Sequence, residues 1–140
     1  MDEIFIPPLS MKVRASSIIA WLCTILIAAF NLFAAVMKFI PQEPGSAGDL
    51  MMQKLGITMT MDHVLGMLEL IIVVLFVVPR TSTVGFVLMI GYMGGALATN
   101  LTHGFSTMDA LPIYITFVLL MISAYVKNPE LLSRMMKGKA

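Results

Sequence analysis

Of the 140 residues, 59% are apolar and only 12% are charged. A soluble domain carries roughly 45–50% apolar and about 25% charged residues, so this chain has too few charges to cover a water-soluble globule; its mean hydropathy of +0.92 points the same way. The formal charge is +1 and no basic stripe is interleaved with aromatics, which gives no footing for nucleic acid. The composition is that of an integral membrane protein in contact with a lipid bilayer.

Four apolar segments follow one another. The first covers about 17–39, opening SIIAWLCTILIAAF and ending NLFAAVMKF. The second covers 63–78 and stops at Pro79-Arg80, where proline cannot continue a helix and arginine meets water. The third covers 84–101 and the fourth 111–126. A span needs about 20 apolar residues, with a range of ~17–25, so the first and third fit and the other two sit at the short edge. The expected fold is therefore all-α: one four-helix transmembrane domain over residues 1–140, with a long extracytoplasmic loop between helices 1 and 2. The first segment is too long for a ~7–15-residue signal-peptide core and ends in a lysine without a cleavage site, so it reads as a retained span.

Lysine and arginine set the orientation. Lys12, Arg14, Arg80, Lys127, Arg134, Lys137 and Lys139 fall on one side of a four-span arrangement, Lys38 and Lys54 on the other. Positive charge stays in the cytoplasm, so both termini are expected there, in a multi-pass protein of the cell membrane. The connection PQEPGSAGDLMMQKLGITMTMD then lies outside. Within it, Asp49 to Leu55 reads as a short helix closed by Gly56, lying at the interface or acting as a lid with Leu50, Met51, Met52 and Leu55 turned toward the membrane.

Each segment is apolar, so its polar residues carry the information. A charge at mid-membrane costs about 2.5–3.5 kcal/mol on the insertion scale, and Glu69 sits inside LGMLELIIVVLF. Residues seven apart share a helix stripe: Asn31 with Lys38, and Asp62 with Glu69. Tyr92, Thr99 and His103 lie along a third stripe, with Asn100 on its flank. The antiparallel order brings Asn31, Glu69 and Tyr92 to a similar depth in the outer half. A polar pocket of Asn31, Lys38, Asp62, Glu69, Tyr92, Asn100 and His103 is expected there, with Glu69 kept ionised if it lies beside Lys38. The competing reading is that Glu69, Asn31 and Tyr92 bond to each other and only hold the helices in register. Gly91 and Gly95, four apart in GYMGGALA, read as a helix-packing face, within the bundle ahead of any oligomer.

No nucleophile elbow, phosphate loop, dinucleotide fingerprint or HExxH is present. Cys23 stands alone, so no internal disulfide or Cys-based zinc site can form, and it reads as a buried apolar residue. No metal is expected. The weak alternative is a Cu(I) site of Met59, Met61 and His63, because thioether and imidazole suit a soft cation.

The order FNLFAAVMKF, LGMLELIIVVLFVVPRT, VG and GGALATNLTHG, followed by a last apolar helix, resembles the DoxX-like family of small four-helix membrane proteins. The likeness covers about 17–126 and rests on Lys38, the Gly66/Glu69 pair, Pro79-Arg80, Gly95-Ala96 and His103. It implies a four-helix fold, a redox-associated subunit, a quinone as ligand, and a polar site that includes Glu69, Lys38 and His103. Some members of the wider family are subunits of a thiosulfate:quinone oxidoreductase, and many have no assigned function. The methionine-rich connection departs from a typical member. The chain has no cofactor signature or nucleophile of its own, so it reads as a subunit that works with another membrane or redox protein and is not an enzyme alone. The rival reading is a non-catalytic accessory or assembly subunit. A copper binder or a permease ranks below both.

Overall fold

The computed structural model describes residues 9–127, with their side chains from 17 to 126. The basic residues at the two ends that set the orientation (Lys12, Arg14, Lys127, Arg134, Lys137 and Lys139) lie outside those side chains. Five helices make up the described chain: α1 Leu9–Met37, α2 Ala47–Leu55, α3 Met59–Val77, α4 Ser82–Thr102 and α5 Leu111–Lys127. No strand occurs among the described residues. Three helical stretches are long and apolar enough to cross a membrane: Ser17–Met37, Met59–Val77 and Ser82–Thr102. A shorter apolar helix, Leu111–Val126, accompanies them.

Local chemistry sets the ends. After Met37, the N–H groups of Lys38, Phe39 and Ile40 reach back only three residues, a tightening common at helix ends, and Pro41 has no N–H to continue. Helix α2 starts two residues ahead of the expected Asp49, because Ser46 is its N-cap and accepts from the Asp49 N–H. It closes on Gly56 at φ 66°, the left-handed conformation that glycine adopts without strain. Thr58 caps α3 by accepting from the Met61 N–H at 3.3 Å. Pro79 follows the Val78 C-cap, and the Thr81 hydroxyl donates to the Leu75 carbonyl at 2.9 Å, folding the chain straight into α4. The connection between α1 and α3 is thus not one long loop, since α2 occupies its middle.

The four long helices run alternately up and down. Helix α1 packs on α3 and α5, and α4 packs on the same two, more extensively on α3 than on α5. They close into a ring, α1–α3–α4–α5, whose interior holds Ile27, Ile72, Phe76, Met89, Met93 and Leu120. The polarity is inverted relative to a soluble protein. Trp21, Phe33, Val74, Val87 and Val118 are exposed, while Thr24, Asn31, Glu69, Asn100, Thr116 and Ser123 are buried. In water such a surface would be one large apolar patch; in lipid it is the expected exterior, with the polar groups turned inward.

Close helix approach depends on glycines other than the expected pair. A Cβ on Gly85 would run into the backbone of Leu75 and Phe76, and one on Gly66 would lie 3.1 Å from the Ala35 carbonyl and from Lys38 Cβ. At Gly91 and Gly95 an added Cβ would meet nothing within 4 Å. The reading of Gly91 and Gly95 as a packing face is therefore corrected: spacing alone does not fix which way a helix is rotated, and here α4 turns these two glycines toward a cavity.

Candidate functional site

The carboxylate that stood out in the sequence is fully enclosed. Glu69, on α3, is 1% exposed, and its Oε2 accepts from Lys38 Nζ at 2.7 Å. Lys38 lies one residue beyond α1 and also donates to the Ala34 carbonyl at 3.3 Å. From α4, the Tyr92 hydroxyl lies 3.2 Å from the same Oε2 and 3.5 Å from the Leu65 carbonyl, and its single proton serves one acceptor at a time. One carboxylate oxygen thus ties three helices together. Burial of the pair is uneven, because the Lys38 side chain keeps 23% of its surface and that of Glu69 only 2%.

These three side chains stand on the wall of a cavity of about 620 Å³, within the ~300–1,000 Å³ of small-molecule sites. It lies at the end of the bundle where α1 and α4 finish and α3 and α5 begin. Most of the lining is apolar: Phe30, Ala34, Leu65, Met93 and Ile113 contribute from the four long helices. Gly91 and Gly95 leave open space along α4, where a side chain would have reduced the volume. Asp62, Thr99 and Asn100 add polar atoms. Thr99 and Asn100 each donate to a carbonyl four residues back, Thr99 to Gly95 and Asn100 to Ala96.

Two expected members of the pocket lie outside the lining. Asn31 is 0% exposed and sits on the buried stripe of α1 with Ala20, Thr24, Ile27 and Ala35. Its Nδ2 donates to the Ile27 carbonyl at 2.8 Å, and its Oδ1 is buried without a partner, so it does not join Glu69 and Tyr92. His103 is exposed and serves as the C-cap of α4, with its ring Nδ1 2.8 Å from the Thr99 carbonyl. Helix α4 ends at Thr102, so the stripe that pointed His103 inward no longer applies one residue later. For the methionine alternative, α3 already begins at Met59, which turns Met61 about 200° away from Met59. His63 stacks on Phe39 at 5.6 Å. The three side chains do not converge on one ion.

Sequence reasoning allowed α2 to act as a lid but did not assign its residues to the cavity wall. Gly48, Met51, Met52 and Leu55 line the cavity, and a Cβ on Gly48 would have to push aside the flexible Gln42 side chain. Leu50 and Met51 are both exposed, and of the two only Met51 lines the cavity. A latch joins this lid to the α4–α5 connection: Lys54 Nζ donates to the Gly104 carbonyl at 3.1 Å and sits 3.9 Å over the Phe105 ring. An exposed cation–π contact contributes about 0.5–1 kcal/mol. Lys54→Ala is therefore expected to speed hydrogen exchange of the α2 amides by up to about fivefold and leave those of α3 unchanged. Equal rates in α2 would mean that the latch does not hold the lid.

On the far side, Asp109 accepts from the Ser106 N–H and hydroxyl at 2.8 and 2.7 Å. Those bonds hold its carboxyl below the usual carboxylate range.

No curated protein and no solved structure matches the chain. The profile of the DoxX-like family matches residues 22–124, a stretch that contains Lys38, Glu69, Tyr92 and the whole of the cavity lining. With its apolar helices, the chain is a membrane protein, and it belongs to the DoxX-like family.

Proposed function

We propose that this protein is a redox-associated membrane subunit that binds a quinone or a similar small lipophilic ligand in the cavity beside Glu69. The single observation behind this reading is an apolar cavity of about 620 Å³ with a buried ion pair and a tyrosine hydroxyl on its wall. Such sites combine apolar lining with a few placed polar groups that orient the ligand. Lys38 and Tyr92 would position the ligand's oxygen, and Glu69 would exchange a proton with it. The family adds the membrane setting, and quinone identity comes from the family resemblance alone.

The topology proposed with it has four spans, both termini in the cytoplasm of a cell membrane, and the cavity on the outer side. Leu111–Lys127, with 17 residues, covers about 25 Å at 1.5 Å per residue, the short end of the spanning range. It closes the ring between α1 and α4, which supports counting it as a span.

One observation favours a second reading. Glu69, Lys38 and Tyr92 already bond to one another across three helices, as a structural clasp in an accessory or assembly subunit would. Native mass spectrometry of protein gently extracted from its own membrane separates the two. A bound small mass that disappears in Glu69→Gln supports the ligand site. A second protein that stays bound in that variant, with no small mass in either form, supports the accessory subunit.

A further inference from the structure

The hydrogen-bonding capacity left unused on the cavity wall describes the head group that fits it. Both bonds recorded for the Glu69 carboxylate end on Oε2, and Oε1 receives none among the described residues. Glu69 is 1% exposed and lines the cavity, so Oε1 has only the cavity from which to draw a donor. Asp62 lines the same cavity one stripe-repeat away, and no described residue bonds to its carboxylate. An enclosed carboxylate oxygen gains from a donor that enters the cavity, and Asp62, partly exposed, adds a second acceptor to the same wall.

The donors on the wall are largely committed. Lys38 spends one N–H on Glu69 and one on Ala34. Tyr92 points its proton at Glu69, Thr99 at Gly95, and Asn100 donates to Ala96. Lys38 keeps a third N–H. The formal charge also counts against an anion, with one lysine against Asp62, Glu69 and Asp109 on the lining; Lys54 faces Asp109 from the lid.

We propose that the cavity selects a neutral lipophile with a hydroxyl head, which donates to Glu69 Oε1 or Asp62 while its oxygen accepts from Lys38. A ketone or an ether can only accept and leaves the carboxylates unmet, whereas an anion adds like charge to them. Of two redox forms of one ligand, the hydroxyl form is then held more tightly than the carbonyl form. The inference rests on the ligand-site reading above and sharpens it.

The test uses two stable probes of matched shape, 4-decylphenol and 4-decylanisole, titrated into the full-length protein in lipid nanodiscs, with affinities referred to the membrane concentration of each. The phenol is expected to bind at least about tenfold more tightly, as befits one hydrogen bond to a charged group. Asp62→Asn, which breaks no recorded side-chain bond, is expected to cut that ratio at least about threefold at an unchanged unfolding midpoint. Equal binding of ether and phenol overturns the donor preference while the ligand site stands; a clear preference for the phenol that Asp62→Asn leaves unmoved assigns the donated bond to Glu69 Oε1 alone. Binding of neither probe overturns the ligand site itself.

Discussion

Lys38→Met is expected to destabilise the protein by about 2–3 kcal/mol, and Glu69→Gln by clearly less. The asymmetry follows from geometry. Removing one partner of an enclosed ion pair leaves the other charge uncompensated, at about 3–5 kcal/mol for a fully buried pair. In Lys38→Met the stranded charge is Glu69, whose side chain is only 2% exposed. In Glu69→Gln the stranded charge is Lys38, which keeps 23% of its surface and can extend its head toward the cavity. Partial exposure of the lysine lowers the first estimate below the fully buried range. The double change Lys38→Met with Glu69→Leu removes both charges and should regain most of the loss, since apolar replacement of a buried pair is often neutral or stabilising. Unfolding of the detergent-solubilised protein in increasing dodecyl sulfate reads all three. Equal losses for the two single variants would show that burial does not decide the cost here.

The same numbers bear on function. A clasp that served only stability would be better built from apolar side chains, because interhelical polar bonds in membranes average only ~0.6 kcal/mol. Keeping a charge pair at the cavity wall therefore carries a cost that packing does not explain. Thr24, Thr116 and Ser123 are also buried in the bundle, but hydroxyls satisfy themselves on their own helix, as Thr24 does on Ala20 and Thr116 on Pro112. They impose no comparable demand on a ligand.

What could be read from the chain follows the same division. Apolar runs and Pro79 mark the helices because burial and a missing N–H are local properties. Glu69 could be set near Lys38 and Tyr92 because a seven-residue stripe and antiparallel order fix depth, and depth was enough for long side chains to meet. Rotation about each helix axis is a tertiary property. That is why Asn31, at the right depth, faces the core, and why His103, one residue past the end of α4, caps a helix. It is also why Gly48, Met51 and Met52 of the lid could not be assigned to the cavity: nothing local says how α2 lies over it. The invisible half of the site is the half made by packing.

The glycines make that point testable, and the expected effects differ in sign. Gly85 lies in the first turn of α4, laid across the last turn of α3 by the short connection from Val78 to Thr81. A methyl there meets backbone atoms of Leu75 and Phe76, which cannot rotate out of the way as a side chain can. Gly85→Ala is expected to destabilise by about 3 kcal/mol, the upper end of overpacking costs, because α3 and α4 must part at their tightest point. Gly91→Ala and Gly95→Ala place the same methyl in open space, and alanine is better than glycine in a helix by about 0.5–1 kcal/mol. Each should leave stability unchanged or slightly raised while narrowing the cavity. If Gly91→Ala costs as much as Gly85→Ala in the same dodecyl sulfate titration, α4 is rotated differently from the arrangement described. The open wall beside Glu69 would then be closed by a neighbouring helix, and the glycine pair would be a packing face after all.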